Sequence, residues 1–180
     1  MEGYKTYIQQ IKYNGTGYSY GTLVDILSSF DVICKDFPYK KNPETKDFPT
    51  RDWAGTDGLD VYIPEGNLPI KSYDLEATFM YKGTHANMRS KINDFLDFIC
   101  GRKKGANGDT IQSGRLAIYN EYMQMGRKDV AVKSVNNEVF FDNGDDPDAV
   151  ATFKVKFSVY DPTTDVTINT SGLTPTLQWT

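Results

Sequence analysis

The sequence predicts an α+β domain that is mainly β: an antiparallel sandwich or barrel-like fold with a single packed α-helix over about residues 84–100. Two runs alternate with a two-residue period. Tyr73, Leu75, Ala77, Phe79 and Tyr81 share one face against Asp74, Glu76 and Thr78, and Phe153, Val155, Phe157 and Val159 oppose Lys154, Lys156 and Ser158. That is the signature of a strand with one buried side. A single stretch has helical spacing instead, with Met88, Ile92, Phe95, Leu96 and Ile99 on one stripe. Aromatic residues make up 13% of the chain, with 12 Tyr and 10 Phe, side chains that fit half-buried pleated surfaces.

The elements follow in order. Tyr7, Ile8, Ile11 and Tyr13 precede Asn14-Gly15-Thr16-Gly17. Asn-Gly is the strongest short hairpin signal, so a strand entering a tight turn is expected. Phe30, Val32 and Cys34 alternate imperfectly with Asp31, Ile33 and Lys35 and predict a further strand. Residues 36–69 are rich in proline, glycine and charge, which disfavours a central strand. Loops beyond about 15 residues in compact domains tend to be functional or disordered, and Phe37, Tyr39, Phe48 and Trp53 argue against plain disorder here. A loop that gains order against a neighbouring subunit fits both facts.

Thr84 reads as the N-cap of the helix, its hydroxyl accepting an orphan backbone N–H. Gly101 reads as the left-handed C-terminal cap, and Arg102, Lys103 and Lys104 as partners of the negative end of the dipole. Strands are expected around Leu116, Ile118 and Tyr122, over 129–135, and over 153–159, closed by Asp161-Pro162. The Thr-rich remainder reads as an arm.

Composition narrows the function. The chain has 180 residues, 39% hydrophobic and 24% charged, which suits one globular domain. A net charge of −4, from 24 acidic and 20 basic residues, argues against a dedicated nucleic-acid binder. The N-terminal residues show no secretory pattern and no apolar run approaches the ~20 residues of a bilayer span, so folding in a cytosol without membrane attachment is expected. Cys34 and Cys100 form no CxxC pair and read as free buried thiols.

No active site emerges, and no cofactor is expected. The one histidine, His85, reads as a solvated first-turn side chain, and no serine sits in a G-x-S-x-G context. The acidic turn around Asp142, Asp145, Asp146 and Asp148 is similar to a calcium loop, but Phe153 stands where an EF-hand needs a bidentate glutamate, so a solvated turn is the expectation. The glycines near Gly105 lack the continuation of a phosphate-binding loop.

The order of elements resembles the N-terminal domain of siphophage distal tail proteins. The resemblance is carried by Asn14-Gly15, Trp53-Ala54-Gly55-Thr56-Asp57-Gly58, the helix over Met88–Ile99, Gly114-Arg115-Leu116-Ala117-Ile118-Tyr119, Phe153-Lys154-Val155-Lys156-Phe157 and Asp161-Pro162. It implies a virion structural protein, not an enzyme, forming a hexameric ring between tail tube and tail tip and contacting other tail proteins of the tube and the tip or hub. Duplex DNA would pass through without specific binding, and assembly would occur in the bacterial host cytoplasm. Tail tube and tail completion proteins, including prophage copies, share a related fold and form the alternative. A carbohydrate-binding β-sandwich module is the alternative from another class. Residues 1–162 are expected to form the ring-forming domain and 163–180 a C-terminal arm, with no second, receptor-binding domain. The residues expected at the assembly interface are Phe48, Trp53, Asp57 and Trp179.

Overall fold

The structure, a computed structural model, describes residues 5–38, 44–55, 57–141, 148–172 and 174–179. Its elements in chain order are β1 (Thr6–Tyr13), β2 (Tyr18–Asp25), α1 (Ile26–Phe30), β3 (Val32–Asp36), β4 (Thr50–Arg51), β5 (Asp60–Val61), β6 (Tyr73–Thr84), α2 (His85–Ile99), β7 (Arg115–Asn120), β8 (Met125–Phe141), β9 (Asp148–Val159), β10 (Val166–Asn169) and β11 (Thr176–Trp179). Seven strands form one antiparallel sheet in the order β2-β1-β7-β8-β9-β6-β3, while β4–β5 and β10–β11 are separate two-stranded ribbons. The predicted class, α+β and mainly β with one packed helix, is the observed one.

The sheet is rolled. Laid flat, its outermost strands β2 and β3 would stand six spacings, roughly 29 Å, apart. Yet α1, five residues and about 7.5 Å long, joins the end of β2 to the start of β3. The two edges must therefore be drawn towards one another across α1. The sequence reading placed Phe30 on a strand; it closes this short helix instead. Asp25 caps the helix by accepting from the Leu27 N–H at 3.0 Å, and Asp31 ends it in the left-handed region at φ 56°. The strand begins only at Val32.

Inside the roll the buried faces of the strands meet both helices. Phe79 and Phe153 are direct cross-strand partners on β6 and β9, with ring centroids 5.9 Å apart. Phe95 of α2 lies 5.2 Å from Phe79 and 6.0 Å from Phe153, and Phe30 of α1 lies 5.8 Å from Phe95. The predicted stripe is correct at Ile92, Phe95 and Ile99, but Leu96 is only half-buried and Phe98, which the spacing missed, is fully buried. Phe98 belongs to the core because α1 covers that side of α2, with Phe30 5.5 Å away.

The helix ends differ from expectation at one point. Thr84 is the N-cap residue, but its hydroxyl makes no capping bond; its carbonyl accepts from the Tyr81 hydroxyl at 2.9 Å. Gly101 does take the left-handed conformation at φ 73°, and a Cβ there would stand 2.2 Å from the Gly114 nitrogen, so only glycine fits. Gln10 of β1 ties down the same helix end, its amide donating to the carbonyls of Phe98 and Lys103, each at 2.7 Å.

The C-terminal ribbon β10–β11 folds back on the outer side of the sheet. Val166, 1% exposed, packs with Tyr7 and Tyr119, and with the half-buried Leu23, Ile168, Leu177 and Trp179. Gly126 permits this approach, since a Cβ there would meet the Ile118 carbonyl at 2.6 Å and the Val166 side chain at 2.7 Å. Arg127, 4% exposed, pins the segment: its guanidinium donates to the Tyr73 hydroxyl at 2.8 Å and to the Asp165 carboxylate at 2.6 Å.

Tyr122, expected in a strand, is instead exposed in the turn between β7 and β8, because β7 ends at Asn120, whose side chain accepts from the Met123 N–H. No helix among the described residues is long and apolar enough to cross a membrane.

Candidate assembly surfaces

The proline-rich stretch between β3 and β6 forms an irregular ribbon. Lys71 N–H donates to the Glu44 carbonyl and Lys46 N–H to the Pro69 carbonyl, both at 2.8 Å, and Thr45 bridges Ile70. Further out, Tyr62 N–H reaches the Pro49 carbonyl at 3.0 Å and the pairs Thr50–Val61 and Arg51–Asp60 form β4–β5. Pro49, Pro64 and Pro69 lack donors, which limits the ladder to these short pieces.

This ribbon concentrates exposed apolar surface. Of the ten exposed large hydrophobic side chains among the described residues, six lie on it: Trp53, Leu59, Val61, Tyr62, Ile63 and Leu68. Trp53 is 47% exposed, with the Arg51 guanidinium 3.7 Å over its ring, and Tyr62 and Ile63 are 70% and 61% exposed. Scattered exposed hydrophobics need no explanation, but six on one short element make it a candidate interaction surface. The ribbon is also acidic. Glu44, Asp47, Asp52, Asp57, Asp60 and Glu65 outnumber Lys46, Arg51 and Lys71 by three, and Lys71 is paired with Asp47 at 2.9 Å.

A second surface runs along β2. Tyr13 and Tyr18 are cross-strand partners with rings 5.1 Å apart, Tyr18 and Tyr20 stack at 6.5 Å, and Tyr20 stacks on Trp179 of β11 at 5.4 Å. A β-bulge makes this possible. Gln9 pairs with Leu23 but Ile11 pairs with Tyr20, so Gly21 and Thr22 together oppose Gln10. The extra residue shifts the alternation and puts Tyr18, Tyr20 and Leu23 on one side. Asp109 holds the bulge, accepting from the Thr22 N–H at 3.1 Å and the Thr22 hydroxyl at 2.6 Å. Lys128 lies 4.0 Å over the Tyr18 ring and 5.0 Å over Trp179. Arg115, 2.7 Å from Asp129, approaches Tyr13 at 6.0 Å. Burial, then the Asp129 charge, raises the Tyr18 phenol above its ordinary value. Gln9, Tyr20, Thr22, Leu23, Thr174–Leu177 and Trp179 line a cleft of about 440 Å³ beside the stack.

The solvent face of β6, β8 and β9 is different in kind, a ladder of satisfied charges. Asp74 meets Lys133 at 2.7 Å, Lys156 at 3.2 Å and the Ser158 hydroxyl at 3.1 Å, and Glu76 meets Lys154 at 3.1 Å. The Lys133 hydrogen bond, helped by Lys156 and Ser158, holds the Asp74 carboxyl at about 2. Its cations are already matched within the chain.

The structure thus places Phe48, half-buried, with Trp53 and Asp57, both exposed, on one ribbon, and Trp179 elsewhere, in the aromatic stack over β2. Sequence reading missed Leu59, Tyr62, Ile63, Tyr20 and Lys128. The apolar residues Leu59, Val61, Tyr62 and Ile63, interrupted only by Asp60 and set between Gly58 and Pro64, were the available signal for the first three.

Groups with chemical potential lie apart from these surfaces. His85 is exposed at the start of α2. Both cysteines are free, but neither is fully buried, correcting the expectation of two buried thiols: Cys34 is half-buried on β3, and Cys100 is exposed at the helix C-cap, where the stripe turns to solvent. Burial pushes the Cys34 thiol up to about 12. Arg102 and Lys103 reach back to Asp97 at 3.6 Å and Asp94 at 2.8 Å. Among the described residues no three metal-ligating side chains converge, and the acidic turn at 142–147 lies outside them.

No protein-family model and no curated protein matches the sequence. Among solved structures the chain is similar to the SPP1 Dit protein, a paradigm of the hub adsorption apparatus of phages that infect Gram-positive bacteria. The TM-score is 0.48 at 14% identity, over 88% of this chain and 52% of that one, so the chain spans about half that protein's length. A likeness at this level assigns neither family nor function.

Proposed function

We propose that this chain is a structural subunit of a bacteriophage tail, assembling as a homohexameric ring between tail tube and tail tip. The observation that carries the assembly reading is the ribbon over 44–71, where six large hydrophobic side chains are exposed among an excess of acidic residues. Its placement in a tail is supported by the resemblance of the Asn14-Gly15 turn, the Trp53–Gly58 loop, the single long helix and the closing Asp161-Pro162 to distal tail proteins. A tail tube or tail completion protein is the neighbouring assignment. Residues 1–162 are the ring-forming unit in this reading, and 163–180 the arm. Phe48, Trp53, Asp57 and Trp179 contribute to subunit contacts. Six copies at −4 each would carry a formal charge of about −24, a wall that repels the phosphates of DNA passing through it.

Trp53→Ala tests the reading by sedimentation velocity. It removes an exposed anchor, so the monomer keeps its circular-dichroism spectrum and thermal midpoint while assembly weakens at least tenfold; tryptophan is enriched among interface hot spots. Wild-type assembly in the variant would remove the ribbon from the interface. A carbohydrate-binding module is the second reading, favoured by the Tyr20–Trp179 stack beside a hydroxyl-lined cleft. Titration with soluble bacterial wall glycans separates it, because only that reading expects saturable binding by the monomer.

A further inference from the structure

The ribbon and the aromatic strip are complementary, and they sit at the two different edges of one sheet. The ribbon leaves β3 and returns to β6 at one edge; the strip lies on β2, the other edge. The ribbon is apolar and acidic, led by Tyr62 and Ile63 with Asp57 and Asp60 beside them. The strip is aromatic and carries a cation: Tyr20 is exposed, and Lys128, over the Tyr18 and Trp179 rings, enters no salt bridge among the described residues. Asp109, Asp129 and Asp161 are the nearby carboxylates, and Asp109 accepts from Thr22 and from the Ala106 N–H. Asp129 is engaged by Arg115 and the Tyr18 hydroxyl, and Asp161 by the backbone of Thr163 and Thr164. β2 is also an edge strand with β1 as its one sheet partner, and Gly105, Asp109 and Ile111 flank it between Gly21 and Val24.

We infer that the ribbon of one copy seats on the Tyr20–Lys128–Trp179 strip of the next. The contact joins unlike surfaces, so each copy uses its ribbon on one neighbour and its strip on another, the head-to-tail arrangement that closes into rings. This rests on the assembly reading above and specifies which surfaces meet.

A mixing experiment tests it. Tyr62→Ser with Ile63→Ser disables the ribbon and leaves the strip intact; Tyr20→Ser with Lys128→Glu does the reverse. All four side chains lie at the surface or part-buried at its edge, and circular dichroism verifies folding. Each variant alone is expected to stay monomeric in native mass spectrometry. An equimolar mixture should give a one-to-one dimer and nothing larger, because only one intact ribbon and one intact strip remain. Should the Tyr20 variant lose its fold, Lys128→Glu alone replaces it, with a tenfold or greater weakening of assembly expected. Wild-type rings combined with a monomeric mixture would overturn this pairing and leave the assembly reading standing. A wild-type protein that stays monomeric at its highest soluble concentration would overturn both.

Discussion

Phe95→Ala probes the core where both helices meet the sheet. Phe95 is fully buried, and its ring has aromatic neighbours on three elements: Phe30 on α1, Phe79 on β6 and Phe153 on β9, at 5.8, 5.2 and 6.0 Å. Truncation forfeits the transfer free energy of the ring and leaves a cavity that three different elements would have to move to fill, so collapse is hindered. Such changes cost about 3–5 kcal/mol, against a total stability of roughly 5–15 kcal/mol for a domain. At about 2–4 °C per kcal/mol for this chain length, the thermal midpoint should fall by roughly 6–20 °C. The control is Asp94→Ala, one residue away on the polar, solvent-facing side of α2. Asp94 pairs with Lys103 at 2.8 Å, but both side chains are more than a third exposed, so its loss should cost under about 1 kcal/mol. Urea denaturation measures both, with an unchanged slope as the condition for comparing midpoints. Equal destabilisation by the two substitutions would refute this account of the core.

Arg127→Ala should release the C-terminal ribbon without unfolding the sheet. It removes the guanidinium's bonds to the Tyr73 hydroxyl and the Asp165 carboxylate, a loss of about 1–3 kcal/mol, read as faster amide exchange over 163–179 than over β6 and β9. Asp74 should govern part of the acid response. Its carboxyl is held near 2 in the fold against an ordinary 3.8, so its contribution is complete above about 3.8 and is lost as pH falls towards 2. Asp74→Asn should therefore flatten the decline in thermal midpoint across that window and lower the midpoint at neutral pH; a parallel decline in both proteins would contradict the assignment.

The strands with a buried and a solvated face were legible, because Tyr73–Tyr81 and Phe153–Val159 write the sheet's two sides directly into alternate residues. So was the hairpin turn, where the Asn14 side chain accepts from the Thr16 and Gly17 N–H groups at 3.2 and 2.9 Å. The short α1 was not. Five residues lie below the length at which helical periodicity can be read, and the element exists because Asp25 caps it and Phe30 finds Phe95 and Phe98. Phe98 was missed for the same reason, since its burial depends on α1. Arg127 and Gln10 gave no local sign of being buried, as Tyr73, Asp165, Phe98 and Lys103, to which they donate, lie 38 or more residues away. At the candidate surfaces the aromatic ribbon was visible as composition, whereas the β2 strip was hidden by the bulge that moves Tyr18 and Tyr20 onto the same side as Leu23.

Self-assembly of this domain is the property on which the proposed tail role depends. Native mass spectrometry of the purified wild-type chain over a range of concentrations tests it most directly. The account predicts a discrete six-copy species that grows with concentration and that electron microscopy shows as a ring. A monomer at every concentration, or a two-fold dimer that does not extend, would contradict it.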